Sequence, residues 1–349
     1  MDISLTDEQV LLRDTAVRLA DDLATENADS VPSGDDLAAA WRRLVELGLP
    51  TFRSPATSGL DSSGVETVVV IEELARTLSA VPAVGQGAIA VDLLDAAGAA
   101  EELDAVAEGR LRVAPMLTAD LGDLGYGSEG SVVFDAAGAD EVIFAVADGR
   151  DHRLCRVAAP AVQDAVGGLD LTRLYTTVTS DLATVATPVG SPIVADRWER
   201  AVALARTVVA ADLVGVMQGA LDAAVRYAGE RTQFGTRIGT FQAVQHMLAD
   251  ALVRLEGARS CVWYAAWGVD HLEPVEATLA AMTAKAYASE AAREVVETSV
   301  QVFGGIAITW EHLSHLRLRR VLVDRRVLGD ETALYQRIAA TRLADRELV

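Results

Sequence analysis

Two clusters of side chains in the second half of the chain have the make-up of a site for an anionic nucleotide. The first is the stretch RTQFGTRIGTFQ, from Arg231 to Gln242, which interrupts two long helical patterns. A turn needs only glycine or a small polar residue, so this one carries more chemistry than turning requires. Arg231 can make charge-assisted hydrogen bonds to a diphosphate. Phe234 offers a flat apolar face, and Gln233, Gln242 and Gln245 can hydrogen-bond without adding charge. The competing reading is a surface turn with an arginine laid along it. The second cluster is QVFGG, where a helix ends on Gly304 and Gly305 with Gln301 one turn earlier. Paired glycines there either stop the helix or let a ligand approach the backbone. Upstream, Arg206 stands in the apolar run LARTVVAADLVGVM. An arginine in that setting either pairs internally or faces an anion.

Composition limits what these clusters can serve. The chain has 349 residues, 51 of them acidic and 30 basic, for a formal net charge of -21. Such a field repels nucleic acid and anionic membrane, so an anion can bind only where arginines and helix N-termini make a local positive pocket. The 51% hydrophobic content allows a large core, and no apolar run reaches the roughly eighteen residues of a membrane span. The start, MDISLTDEQV, lacks a basic region followed by an apolar run. Two cysteines, Cys155 and Cys261, far apart in sequence, read as buried free thiols, and the expected location is the cytosol. No metal site is expected.

The elements that must position these groups come in the order α, β, α. Residues 1–111 read as helices: Thr6 caps a first one, DDLAAAWRRLVELGLP forms a second closed by Gly48 and Pro50, GVETVVVIEELARTLSA a third, and the pattern resumes over 85–108. From 112 to 193 the segments LRVAPMLT, GSVVFDAA, EVIFAVADG, RLCRVAAP and TRLYTTVTS are short and punctuated by Gly, Asp and Pro, as strands are. Over 194–349 long helical patterns return, at about 195–228, 240–270, 275–302 and 330–346, lengths suited to an antiparallel four-helix bundle.

The run from Arg206 to Asp250, with R-x-Q-F-G at Arg231 to Gly235 and F-Q-x-x-Q at Phe241 to Gln245, resembles the acyl-CoA dehydrogenase family. So do Q-x-x-G-G at Gln301 to Gly305 and the N-terminal LTDEQVLLRDTAVRLA, LVELGLP and VIEELAR. The resemblance implies an α+β multidomain fold: an N-terminal helical domain, a small middle β domain and a C-terminal four-helix bundle. It implies FAD as cofactor. Arg231, Gln233, Phe234 and Gln242 would contact the FAD of a neighbouring subunit near its pyrophosphate, as would Gln301, Gly304 and Gly305, and Thr332 joins the cofactor contacts. Arg206 would lie near the acyl-CoA, although the family aspartate three residues earlier is Ala203 here.

The pattern breaks at the chemistry. Dehydrogenation of an acyl-CoA needs a carboxylate to take the α-proton while the β-hydride passes to the flavin. The family's Y-E-G-T-like turn matches VLGDETALYQR, which puts Asp330 at the base position and Glu331 beside it. Asp330 reads equally as the cap of the last helix. Asp270 and Glu273, at the end of the helix after F-Q-x-x-Q, offer an alternative. In the middle domain APMLTADLGDLGYG lacks the family's T-E-P and G-S-D, and VIFAVADG lacks its tryptophan. The flavin-ring half of the site is thus missing, whereas the half given to a neighbour is intact. Actinobacterial steroid-degrading heterotetramers of this family divide the work in that way. The leading expectation is therefore a half-site subunit that pairs with a second acyl-CoA dehydrogenase chain, acts on a CoA thioester and passes electrons to an electron-transferring flavoprotein. The alternatives are a self-sufficient homotetramer with Asp330, Glu331 or Asp270 as base, and a scaffold that keeps only the fold.

Overall fold

In a computed structural model the described residues are 5–54, 62–159, 168–182 and 184–346. The last residue of RLCRVAAP, Pro160, lies outside them. Three N-terminal helices, α1 (Asp7–Asp22), α2 (Gly34–Glu46) and α3 (Gly64–Arg76), lead to a π-helical segment (Ala83–Ile89) that runs into α4 (Ala90–Ala96), and α5 (Ala100–Ala107) follows. Thr6 caps α1 as its sequence suggests: its hydroxyl accepts from the Gln9 N–H while the Gln9 side chain accepts from the Thr6 N–H.

The middle domain is a six-stranded sheet of β1 (Val113–Leu117), β2 (Val132–Val133), β3 (Glu141–Asp148), β4 (Asp151–Ala158), β5 (Thr176–Thr177) and β6 (Thr187–Pro188). The strand order is β5-β2-β1-β3-β4-β6. β1 and β3 run parallel and every other pair is antiparallel. Two segments expected as full strands, GSVVFDAA and TRLYTTVTS, pair over two residues only. Beyond those pairs single backbone bonds continue, such as Val178 N–H to the Ser131 carbonyl and Ala136 N–H to the Leu174 carbonyl; Phe134 meets Tyr175, and Arg173 reaches Asp212 in the core. β6 has no period-2 pattern long enough to be seen in the sequence.

The C-terminal bundle consists of α6 (Ala195–Glu230), α7 (Gln242–His271), α8 (Pro274–Phe303), α9 (Ser314–Asp324) and α10 (Glu331–Arg346). α8 is central and packs against α6, α7, α9 and α10. Its buried alanines at 277, 281, 284, 288 and 292 recur every three or four residues and let the neighbouring helices close in. α9 was not foreseen, because its LRLRR run reads as polar. Among the described residues α6 alone is long and apolar enough to cross a membrane, but most of that stretch is buried as the core of the bundle.

One buried ionic knot joins the three parts. Arg173, after β4, donates to Asp212 on α6 at 2.6 Å and sits 3.5 Å from Asp135. Arg320 on α9 donates to the Thr172 hydroxyl and to the Ser79 carbonyl of the N-terminal part. Burial pushes Asp324 well above the usual carboxyl range. Burial also pushes Asp212 upward, but Arg173 and Arg320 outweigh it and hold that group low. The Oδ2 atoms of Asp212 and Asp324 are both buried and have no hydrogen-bond partner among the described residues. The knot orients the sheet on the bundle and so sets where the middle-domain loops fall.

Candidate active site

Arg231 is the residue at which α6 stops. Its N–H still closes the helix on the Tyr227 carbonyl (2.8 Å), and its own carbonyl accepts from Ile238. The chain then makes a two-residue hairpin in which Thr232 pairs with Arg237 and Gln233 with Thr236. Phe234 and Gly235 at its tip both have positive φ, +54° and +77°. A two-residue turn of this twist favours Asn-Gly, and a phenylalanine there is strained. Phe234 is also 93% exposed, so burial within this chain does not offset the strain. Arg231, Gln233 and Gln242 are exposed beside it.

The second cluster lies at the same end of the bundle, since Tyr227 on α6 and Phe303 on α8 meet with ring centroids 4.7 Å apart and planes tilted by 37°. Gln301 is exposed on the last turn of α8. Gly304 takes φ +67°, ψ -144°, a region closed to other residues. Gly305 has no such need, and a Cβ there would meet nothing within 4 Å. Helix termination accounts for the first glycine and leaves the second unexplained by anything inside the chain. Ile306 and Ile308 are exposed beside them. The structure thus gathers Arg231, Gln233, Phe234, Gln242, Gln301, Gly304 and Gly305 on an outward-facing end. They have the chemistry to meet a nucleotide held by another chain: a guanidinium, amides, an open backbone and an aromatic face.

The other expected residues point inward. Arg206, expected at the acyl-CoA, is buried: its Nε donates to the Leu328 carbonyl (3.2 Å) and its Nη2 to Asp123 Oδ1 (2.8 Å). Burial presses its pKa down, with Asp123 opposing. Asp123 belongs to the middle-domain loop 118–125, the stretch without T-E-P and G-S-D. The same carboxylate accepts two bonds from Arg337 on α10, at 3.2 and 2.8 Å, and this raises the Arg337 pKa. Leu328 N–H donates to the Leu121 carbonyl at 2.7 Å, so backbone joins the same loop to the turn before Asp330. Thr118 and Asp120 brace the loop through a hydroxyl–carboxylate bond of 2.6 Å. Loop 118–125 is therefore folded onto the turn before Asp330, and the Asp123 carboxylate occupies the Arg206 guanidinium.

The candidate bases are committed as well. Asp330 caps α10, accepting from the Ala333 N–H at 2.9 Å, and Glu331 pairs with Arg325. Thr332 is exposed on the first turn of α10. Lys285 fixes the turn from beneath, its ammonium donating to Ser289 Oγ and to the Arg325 and Gly329 carbonyls. Burial lowers its pKa to about 7. Asp270 is not near this turn. It accepts from Arg53 (2.8 Å) and from the Gly64 N–H at the start of α3 (2.7 Å), on the side of a cavity of about 320 Å³ that neither Arg206 nor Asp330 lines. Asp123 and Arg337 were missed in the sequence. The only signal was an aspartate in place of the family's loop residues, and no spacing rule ties it to Arg206 or Arg337, 83 and 214 positions away.

Comparison with known proteins shows the family. The acyl-CoA dehydrogenase N-terminal domain matches residues 6–113 and the acyl-CoA dehydrogenase C-terminal domain matches residues 196–343. The chain belongs to the acyl-CoA dehydrogenase family, oxidoreductases of the CH–CH bond of acyl-CoAs whose cofactor is FAD. Acyl-CoA dehydrogenase IpdE2 of Mycolicibacterium smegmatis is 29% identical over 348 residues, 96% of this chain and 99% of its own. Among solved structures, a variant of the Tcur3481-Tcur3483 steroid ACAD superposes with TM-score 0.82 at 24% identity, covering 98% of this chain and 99% of that one. The ChsE4-ChsE5 complex from Mycobacterium tuberculosis gives TM-score 0.76 at 23% identity, covering 97% and 98%. At these identities the two structures establish the fold.

Proposed function

We propose that this chain is the half-site subunit of a heteromeric FAD-dependent acyl-CoA dehydrogenase. It lends Arg231, Gln233, Phe234, Gln242, Gln301, Gly304 and Gly305 to the FAD of a partner chain and keeps no flavin-ring site of its own. The observation that carries this reading is the seal at the base turn, where Asp123 bridges Arg206 and Arg337 and Leu121 holds Leu328. FAD, when bound by such a complex, accepts the β-hydride of a CoA thioester. In this chain Arg231 would hold a diphosphate, Phe234 would offer an apolar face beside it, and Gly304 and Gly305 would let the cofactor approach the backbone. The partner supplies the base and the ring-binding loops. A two-chain complex and a steroid-acting enzyme among the structural neighbours favour a second acyl-CoA dehydrogenase as partner and a steroid-derived acyl-CoA as substrate. The acceptor of the electrons is then an electron-transferring flavoprotein, by family, and the assembly is cytosolic.

A homotetramer active by itself needs a free carboxylate, and Asp330, Glu331 and Asp270 all have partners within the chain. The deciding experiment is flavin content. Expressed alone, the chain retains little FAD after desalting, and co-expressed with its partner it yields about one FAD per heterodimer, read by absorbance. Stoichiometric FAD in the isolated chain refutes the half-site reading.

A further inference from the structure

A groove of about 530 Å³ opens where the start of α2, the middle domain and the Trp310 loop meet. It is lined neither by the outward nucleotide contacts nor by the sealed base turn. Its volume is that of a small-molecule site, and much of its wall is apolar: Leu37, Pro82, Leu174 and a half-exposed Trp310. Its polar groups are unusual for so acidic a chain. Arg112 holds Gln86 Oε1 at 3.1 Å and the Ala137 carbonyl at 2.7 Å and lies 4.9 Å above the Trp41 ring. These contacts fix the guanidinium without neutralising it, and among the described residues it has no salt-bridge partner. Burial lowers its pKa accordingly. Arg173, whose side chain is only 5% exposed, also lines the groove, and its Nε has no hydrogen-bond partner. The N-terminus of the 13-residue helix α2 opens there at Ser33 and Gly34, and Ser33 makes no side-chain cap.

The nearby carboxylates answer this positive charge only in part: Asp140 acts on Arg112 through space, against the effect of burial, and forms no ion pair with it. Asp135 is held by Arg173 and by the Gly85 N–H (2.7 Å), and Asp29 by the Trp310 indole N–H (2.8 Å). Asp140 accepts from the backbone N–H of Arg112, not from its guanidinium. Asp35 and Asp36 on the first turn of α2 are exposed, where solvent and salt screen them. We infer that this groove binds a small organic monoanion, a carboxylate on an apolar ring, with Arg112 meeting the carboxylate and Leu37, Leu174 and Trp310 covering the ring. A neutral apolar ligand would leave the guanidinium unanswered, and an inorganic anion would leave the apolar wall wet. The assignment stands apart from the flavin reading, because none of these residues contacts the nucleotide cluster or the sealed turn.

Equilibrium dialysis of the full chain, alone and with its partner, against 2-naphthoate tests it. The expected result is saturable uptake of one naphthoate per chain. The uncharged 2-naphthamide should bind at least tenfold more weakly, the scale of one lost charge-assisted hydrogen bond, and inorganic phosphate should compete poorly. Arg112→Gln should weaken naphthoate at least tenfold, and Trp310→Ala, on the exposed rim, should weaken naphthoate and naphthamide alike. The amide comparison needs no variant, so a poorly folding Arg112→Gln does not rescue the idea. Equal binding of acid and amide, or no saturable uptake at millimolar naphthoate, overturns it.

Discussion

Removing the Asp123 carboxylate tests the seal directly. Asp123 joins a buried guanidinium, Arg206, whose side chain is 5% exposed, to one in the open, Arg337, at 45%. After Asp123→Ala, Arg206 keeps only the Leu328 carbonyl as acceptor. Breaking a fully buried pair costs roughly 3–5 kcal/mol and losing an exposed one about 0–1 kcal/mol. The carboxylate itself is 37% exposed, so the cost should fall between, at about 2 kcal/mol. For a chain of this size that is a fall in Tm of about 3 °C. Arg337→Ala, by contrast, should cost no more than about 0.5 kcal/mol. The cycle with Arg206→Met separates a buried unpaired charge from simple loss of contacts. The double variant Asp123→Ala/Arg206→Met has no stranded cation and should recover about half of the loss or more. Thermal and urea unfolding of the four proteins measure this. If Asp123→Ala is no more damaging than Arg337→Ala, or if the double variant loses the sum of both singles, the loop does not seal the turn as described.

Three further outcomes follow from the same contacts. In the assembled complex Arg231→Ala should weaken FAD retention roughly ten- to a hundredfold, a charge-assisted contact of about 1.5–3 kcal/mol; Arg231→Lys should restore it only partly, and unchanged flavin affinity in both would make Arg231 a surface residue. Asp330→Asn, Glu331→Gln and Asp270→Asn should each leave dye-coupled turnover of the complex within a few-fold, whereas loss of a true general base removes roughly two to four orders of magnitude; such a collapse with normal folding would show that this chain does its own chemistry. Asp324 has a folded-state pKa above its unfolded one, so its contribution is fully present below about pH 4 and is lost as pH rises towards the folded value. Asp324→Asn, a permanently neutral side chain, should therefore gain Tm relative to wild type between pH 5 and 8, and an equal loss at every pH would count against a raised Asp324 pKa.

How much of this was legible in the sequence depends on the range of each interaction. The helices of the bundle were readable because an amphipathic pattern repeats every three or four residues, and α6, α7, α8 and α10 begin and end within a few residues of where that pattern does. The long strands β3 and β4 were readable for the same local reason. β2 and β5 fall inside segments read as strands but are far shorter than those segments, and β6 was not readable, since two residues carry no period and their pairing is decided by the sheet they join. At the site, R-x-Q-F-G could be read because its residues are consecutive and its chemistry exceeds a turn's needs. Arg206 could not be settled. An arginine in an apolar helix must find an acceptor, but whether that acceptor is a ligand or a loop from another domain is written nowhere near it.

On the half-site reading, that ambiguity explains how the chain could lack half of a site and keep its fold. A buried arginine whose ligand is withdrawn leaves an uncompensated charge, which is strongly destabilising. Here Asp123 supplies the counter-charge from within the chain, Arg337 shares it, and the Leu121–Leu328 bond ties the loop down. The outward cluster shows the opposite condition. Phe234 holds a left-handed backbone at 93% exposure, and Gly305 leaves open space that no part of the chain fills. On the half-site reading, the inward half is stable without a ligand and the outward half is completed by a partner. The two halves should therefore respond differently to assembly. Partner binding should protect the amides of 232–241 and 301–308 from hydrogen exchange and leave those of 118–125 unchanged. Protection that appears at 118–125 instead would mean that the loop opens to receive a flavin, and the division of labour proposed here would be wrong.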